Sequence, residues 1–337
     1  MDSGVLHHEE GSLEIREGPS LNKRSVFVRP HHNALHISIK QIETAYPISL
    51  IETMLRVRGL GLCDDIARDE DSSYLEAKLR QDISAYFPAD DFSGKRILDF
   101  GCGGGSSTMI LARLFPASEI MGVDLSPEYL SIALARLKYY GFSNVILMQS
   151  PSGEKLPEGI GMFDFVLLSA VFEHLLPAER KLLMPLLWSH LKPNGCFLVN
   201  QTPHRFYPIE DHTTGLPLIN YLPGRVAMWA AGRLSNRNLK GDCWETLLRK
   251  GIRGATEREI LRSVGQQDAS DAVLLEPIGL GGGNRVDLWY SALSTRHRPL
   301  KKLIRELLRF IYKTSGTLFV PHVSVVLRKR PRIRENM

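Results

Sequence analysis

Arg96-Ile97-Leu98-Asp99-Phe100-Gly101-Cys102-Gly103-Gly104-Gly105-Ser106 decides how this chain is read. A short apolar run with one acid in it leads straight into glycines, and a helical stretch follows from Ser106 to Leu114. A buried strand, a glycine turn and a helix in that order begin a parallel strand–helix–strand unit. Gly101 and Gly103 lack Cβ atoms, so a ligand can approach the backbone closely. The helix opening near Ser106 offers N–H groups and the positive end of its dipole to an anion, a carboxylate as readily as a phosphate.

The rhythm continues outward from this stretch. Glu119 to Val123 reads as a second strand, with Asp124 at its tip, 25 residues after Asp99. A carboxylate at that place can accept hydrogen bonds from both hydroxyls of a ribose. Leu125 beside it can pack against a base. Ser126 suits a helix N-cap, Pro127 the first helical position and Gly141 the helix end. Val145 to Met148 and Phe163 to Leu168 are further strands. A helix from Pro177 to Leu191 stops at Lys192-Pro193-Asn194-Gly195, and Cys196 to Val199 is a fifth strand. Buried strands alternating with helices imply a parallel sheet covered on both faces.

A dinucleotide fingerprint would need G-x-G-x-x-G, but the sixth position is Ser106. Asp99 would be poorly placed near a pyrophosphate and well placed near an amine. A ligand with ribose, adenine, an α-amine and an α-carboxylate satisfies every position, which describes S-adenosylmethionine. With those residues in place, Ile97 to Val199 resembles a class I S-adenosylmethionine-dependent methyltransferase of the small-molecule type, similar to methyltransferase types 11 and 12. The motifs are LDFGCGGG (98–105), GVDLS (122–126), FDFVLLSAVFEHL (163–175) and LKPNGCFLV (191–199). The resemblance implies an α/β, Rossmann-like, doubly wound sheet of seven strands, the last antiparallel, with a helical insertion after strand five. It implies S-adenosylmethionine as cofactor and S-adenosylhomocysteine as product.

The resemblance also assigns residues. Gly101 and Gly103, with Gly104, would form the floor under the cofactor. Asp99 would contact the methionine amine, Asp124 the ribose, Leu125 the base, and Ser169 the methionine part. Many relatives read D-A-x-x-L-P before strand four, whereas this chain has Ser152-Gly153-Glu154-Lys155-Leu156-Pro157. Ser152 and Gly153 would therefore meet the adenine without a charge, unless Glu154 supplies one.

Methyl transfer from a sulfonium is an in-line displacement that releases a neutral thioether, so the leaving group needs no acid. Alignment alone can contribute about 7–11 kcal/mol, and a positioned base about 10²–10⁴-fold in rate. Glu173-His174, just past strand four, places His174 as the first candidate base. The second candidate lies in Thr202-Pro203-His204-Arg205-Phe206-Tyr207-Pro208-Ile209-Glu210-Asp211-His212, where Asp211 could orient His212. A metal held by His204, His212 and Asp211 fits no standard ligand spacing, so no metal is expected. The apolar stretch from Gly215 to Pro223, with Met228-Trp229, suits a wall over a substrate pocket.

The expected organisation is a loosely ordered extension (1–40), N-terminal helices (41–94), a cofactor-binding core (95–200), a substrate-cap insertion (201–253), completion of the sheet with a basic amphipathic helix (254–330) and a basic tail (331–337). The histidines His7, His8, His31, His32 and His36 of the extension show no metal-ligand spacing. A glycine loop, Gly279 to Gly283, precedes the basic helix.

The chain has 337 residues, 43% hydrophobic and 23% charged, ample for a sizeable core. Four widely spaced cysteines suit a reducing compartment. With neither a basic-then-apolar leader nor a run of roughly 20 apolar residues, a cytoplasmic protein is expected.

The +5 net charge hides an asymmetry: from Arg296 onward, 12 Lys+Arg face 2 acids. There is no N/D-P-P-Y/F run after strand four and no Pro-Cys nucleophile, so nucleic acid is not the expected substrate. The expected acceptor is the oxygen or nitrogen of a small molecule, a sugar or a lipid-linked compound. The basic C-terminal helix leaves two alternatives open, an RNA substrate or docking at an anionic membrane surface. A non-catalytic S-adenosylmethionine binder is a third. The sequence is silent on oligomeric state.

Overall fold

The structure is a computed structural model that describes residues 4–20, 22–31, 37–265, 272–279, 284–291 and 298–330. His32, His36, Gly281 to Gly283 and the tail 331–337 lie outside these residues. In chain order the strands are β1 (Gly4–His8), β2 (Gly11–Glu17), β3 (Arg24–Pro30), β4 (Gln41–Thr44), β5 (Arg96–Phe100), β6 (Glu119–Asp124), β7 (Val145–Gln149), β8 (Phe163–Ser169), β9 (Leu191–Pro203), β10 (Ile209–Glu210), β11 (Leu216–Pro217), β12 (Ala272–Leu274) and β13 (His322–Lys329). The helices are α1 (Ile48–Arg58), α2 (Leu62–Glu70), α3 (Ala77–Ser84), α4 (Ser106–Leu114), α5 (Pro127–Tyr140), α6 (Pro177–Ser189), α7 (Gly224–Leu234), α8 (Trp244–Arg249), α9 (Glu257–Val264), α10 (Arg285–Ser291) and α11 (Arg298–Ser315). A seven-stranded sheet has the order β12-β13-β9-β8-β5-β6-β7. Its reversed member is β13, which pairs antiparallel with both β12 and β9, so β12 runs in the same direction as β9. The expected α/β sheet and its reversed last strand are both present.

The chain divides into two compact units, Met1–Arg80 with Gly101–Ser150, and Gln81–Phe100 with Pro151–Met337. In the first, β1 to β4 form an antiparallel meander. Leu13, Ile15, Val26 and Val28 alternate inward and meet Leu50, Ile51, Met54 and Leu55 of α1. This corrects the loosely ordered extension expected over 1–40, because residues 4–17 and 24–30 are strands built on a buried face. It also trims the N-terminal helices expected over 41–94: β4 takes 41–44, and Pro47, fixed at φ −66°, caps α1 from outside. The same unit carries β6 and β7, paired in parallel from Ile120↔Val145 to Asp124↔Gln149. Helix α5 is capped as expected: Ser126 Oγ accepts the Tyr129 amide, Pro127 opens the helix and Gly141 ends it at φ 67°.

In the second unit β5 pairs with β8 and β8 with β9, both in parallel. Strand β9 runs on to Pro203, so the cap begins later than residue 201. Beyond it, β10, β11, α7 and α8 form a lobe with its own core of Ile219, Ala227, Ala230, Ala231, Leu239, Leu247 and Ile252. Arg253 fastens the lobe by donating to the carbonyls of Asn220 and Leu222, each at 2.5 Å. Strand β13 starts only after Pro321, which has no N–H for a ladder.

Candidate active site

In the first unit, three backbone N–H groups of the glycine turn are held, two by carbonyls and one by a carboxylate. Gly101 N–H donates to Val123 O at 2.7 Å, Gly105 N–H to Cys102 O at 2.9 Å, and Gly103 N–H to Asp124 Oδ2 at 2.8 Å. Gly101 and Gly103 adopt φ 74° and 53°, the left-handed region that glycine enters without a Cβ penalty. A Cβ on Gly103 would meet nothing within 4 Å, so this backbone faces open space. Asp124 accepts the Ser126 amide at 2.9 Å on its other oxygen and stays half-buried, with lone pairs left for a diol. Leu125 is 49% exposed. Gly105 is the N-cap of helix α4, which has no side-chain cap. An accessible glycine backbone, a carboxylate and an uncapped helix start fit a nucleoside bearing an amino acid.

Gly104 differs from its neighbours. A Cβ there would meet Arg136 at 3.1 Å and Ile132 at 3.3 Å, so it faces the protein. Arg136, fully buried on α5, donates to Gly104 O at 2.5 Å, to Asp65 O at 2.7 Å and to Tyr46 Oη at 3.1 Å. Asp65 and Asp69 of α2 balance its charge. A buried arginine thus anchors the glycine turn from below, and sequence reading missed it because one arginine on an amphipathic helix looks like a solvated face.

In the second unit, Asp99 is 1% exposed on β5, in register with Leu167. Ser169 ends β8 and accepts from Gln201 Nε2 at 3.1 Å. Ala170 (φ 54°), just after β8, and Gln201 (φ 59°), inside β9, are both left-handed, a strain that concentrates at functional sites. Ser152 Oγ accepts the Glu154 amide, and Gly153 lies against Glu179, whose Oε1 would be 2.9 Å from a Cβ.

The turn Phe172–His174 follows β8 at once. Arg180 of α6 holds it, stacked 4.4 Å from the buried Phe172 ring and donating to Leu175 O at 2.9 Å. Glu173 is 1% exposed; Thr202 donates to its Oε2 at 2.9 Å, while Oε1 has no hydrogen-bond partner. Burial raises its carboxyl above the usual range. His174 Nδ1 lies 2.7 Å from Arg249 O. A carbonyl only accepts, so Nδ1 carries the proton and, in neutral His174, Nε2 keeps its lone pair. That Nε2 is 3.9 Å from Glu173 Oε1. Arg249 is itself fixed by a two-pronged pair with Glu179, both contacts at 2.6 Å.

His212 comes to the same place, its ring 5.3 Å from that of His174. The reason is local. The buried Glu210 carboxylate accepts the Thr213 and Thr214 amides and the Thr214 hydroxyl at 2.6–2.7 Å, curling the chain so that His212 projects. Gly251 leaves room for the ring, since a Cβ there would lie 2.8 Å from it. Burial, then the nearby His174 and His322, pushes the His212 pKa down to about 4. Asp211 is exposed and makes no hydrogen bond to His212; its charge only favours the protonated form. His204 is buried instead beside Phe206 and Phe319, its Nδ1 accepting the Phe206 amide, so the triad of His204, His212 and Asp211 does not form. The ligand atoms that converge are those of Glu173, His174 and His212, within 4.8 Å of one another, a spacing a divalent cation could bridge.

Comparison with known proteins follows the same segment. Residues 97–195 match the family described as "Methyltransferase domain". A ubiquinone biosynthesis O-methyltransferase of Cereibacter sphaeroides (strain ATCC 17029 / ATH 2.4.9) is 32% identical over 135 residues, 39% of this chain and 51% of the relative. A trans-aconitate 2-methyltransferase of Azoarcus sp. (strain BH72) is 29% identical over 180 residues, 52% of this chain and 64% of the relative. Among solved structures, PKMT2 of Rickettsia typhi in complex with AdoHcy is 16% identical, with a TM-score of 0.44 over 76% of this chain and 52% of that one. The chain spans about half the length of the first of these curated relatives. Over residues 97–195 the chain is similar to that methyltransferase-domain family.

Proposed function

We propose that the protein transfers a methyl group from S-adenosylmethionine to an oxygen, or a nitrogen, of a small-molecule, sugar or lipid-linked acceptor. The observation that carries this reading is the Gly103–Asp124 pair, an open glycine backbone beside a carboxylate with unused lone pairs. Relatives named as an O-methyltransferase and a trans-aconitate 2-methyltransferase support a small acceptor. When bound, the donor supplies an electrophilic methyl on a sulfonium that departs as a neutral thioether.

The chain's own residues do the rest. Gly101, Gly103 and Asp124 hold the nucleoside and Leu125 covers its base. Asp99 takes the amine, Ser152 and Gly153 the adenine, and Ser169 the methionine part, while Gly104 braces the turn through Arg136. His174 Nε2 removes the acceptor's proton as the new bond forms. Glu173 Oε1, otherwise without a partner, then offsets the charge on the imidazolium, which turns a costly buried carboxylate into half of an ion pair. His212, neutral near pH 7, orients the acceptor. With its pKa near 4 it is a poor base for a hydroxyl.

The test is formation of S-adenosylhomocysteine against a panel of hydroxyl, carboxyl and amine acceptors with labelled donor. Calorimetry with the donor runs alongside. Absence of donor binding overturns the reading; donor binding with no product from any acceptor class reduces it to a binder.

A further inference from the structure

Helix α11 packs by one face and leaves a second apolar face in water. Leu308, Ile311 and Tyr312 join Val286, Leu318, Phe319 and Val320 in a small core. Away from that core, Leu300, Leu303, Leu307 and Phe310 are 59%, 68%, 58% and 65% exposed. Their spacing of three, four and three residues draws one stripe along the helix, with the half-exposed Ile304 inside it. A surface helix normally turns polar residues outward, and a contiguous exposed stripe of large apolar side chains marks an interaction site.

The stripe is flanked by cations. The helix carries Arg298, Lys301, Lys302, Arg305, Arg309 and Lys313 against the single acid Glu306. Arg305 and Arg309 are engaged with Glu306, and Arg309 also with Asp287. Lys302 and Lys313 are exposed and form no ion pair among the described residues. Helix α7 repeats the device: Ala227, Ala230 and Ala231 face its core, while Val226 and Trp229 are 45% and 59% exposed between the exposed Arg225 and Arg233.

We propose that α11 is an interfacial helix that docks on an anionic lipid surface. Its apolar stripe would enter the headgroup–acyl boundary and its lysines would meet lipid phosphates. Charge complementarity selects this occupant. A second copy of the chain would bring Lys302 and Lys313 against their own equivalents, a like-charge contact that disfavours pairing. RNA would satisfy the lysines and leave four large apolar side chains wet. No helix among the described residues is long and apolar enough to cross a membrane, so α11 lies on the surface. This inference stands apart from the methyl-transfer reading, and each can fail alone.

The experiment is co-sedimentation of the full chain with vesicles of phosphatidylcholine alone and of phosphatidylcholine with phosphatidylglycerol, at low and high salt. The wild-type chain should bind the anionic vesicles and lose most of that binding in high salt. The double variants Leu303→Glu/Leu307→Glu and Lys302→Glu/Lys313→Glu should each lower partitioning at least about ten-fold. All four positions are exposed, so thermal melting should match the wild type, and donor binding by calorimetry should be unaltered. Failure to bind anionic vesicles overturns the proposal, as does equal binding to neutral ones. A self-association abolished by the leucine variant without vesicle binding would assign the face to a second copy. RNA binding lost in the lysine variant without vesicle binding would assign it to nucleic acid.

Discussion

Asp124 and Gly103 close a clasp: the Asp124 carboxylate takes the Gly103 amide at 2.8 Å on one oxygen and the Ser126 amide at 2.9 Å on the other. The acid that would hold a ribose therefore also shapes the turn on which the donor's amino-acid end would rest. Asp124→Ala removes both bonds and should cost about 1–3 kcal/mol of stability as well as donor binding. Asp124→Asn separates the two roles, keeping one acceptor oxygen while turning an NH₂ group toward one of the partners. It should stay folded and bind S-adenosylmethionine about 10²-fold more weakly by calorimetry, the loss of two charge-assisted bonds to the ribose. Wild-type affinity in the Asn variant would remove Asp124 from the site.

Arg136 supports the same turn from the opposite side through Gly104 O. Arg136→Met leaves the buried Asp65 without its cation and the buried Asp69 with Arg113 alone. Uncompensated buried charge costs about 3–5 kcal/mol, so the urea midpoint should fall steeply. Arg136→Lys should recover part of this, since a single ammonium can replace the charge but not the separate contacts with Gly104, Asp65 and Tyr46. Equal stability of the Met variant would mean that the ion cluster contributes nothing net.

What sequence reading captured here is what short-range chemistry determines. The cap residues Ser126, Pro127 and Gly141 act within one turn of α5, and the apolar strands announce themselves over four or five residues. The strands β2 and β3 escaped because Leu13/Ile15 and Val26/Val28 offer just two inward residues each, too short an alternation to stand out. In the site, His174 was visible as a residue, but its fixed tautomer depends on the carbonyl of Arg249, 75 residues away. The partner first expected for His212, Asp211, was wrong for a local reason: Glu210, one residue earlier, takes the turn amides and so decides where His212 points. That Glu-x-x-Thr-Thr spacing was there to be read as a self-capping turn.

Acid should loosen the second unit in a defined window. His204 and His212 each fall from 6.5 to about 4 through burial in the folded state. The unfolded chain then binds more protons between those values, so stability rises with pH there. Stability from these groups is complete above about pH 6.5 and is lost as pH falls toward 4, by about 2 kcal/mol for each histidine at pH 5. Glu173, raised by burial, has the opposite sign and offsets part of the loss. Urea midpoints at pH 5 and pH 7 measure the slope, and His204→Phe, apolar like the neighbouring Phe206 and Phe319, should flatten it by one histidine's share. A slope unchanged in that variant would place the titration elsewhere.

If His174 is the base, its removal should damage turnover and spare donor binding. Its proton on Nδ1 is fixed by Arg249 O, so the lone pair on Nε2 is set for one task beside Glu173. His174→Ala should lower kcat about 10²–10⁴-fold with any acceptor that shows activity, the usual worth of a positioned base. Glu173→Gln should lower kcat less, because Gln still accepts from Thr202 yet cannot offset an imidazolium, and its loss should shrink when the acceptor is already ionised. Addition of a chelator separates this reading from a cation held by Glu173, His174 and His212: a base needs no metal, so the rate should be unchanged by EDTA. Inhibition by EDTA that zinc or manganese reverses would reassign the three side chains as ligands, and an unimpaired His174→Ala variant would leave the histidine a structural pin between its turn and α8.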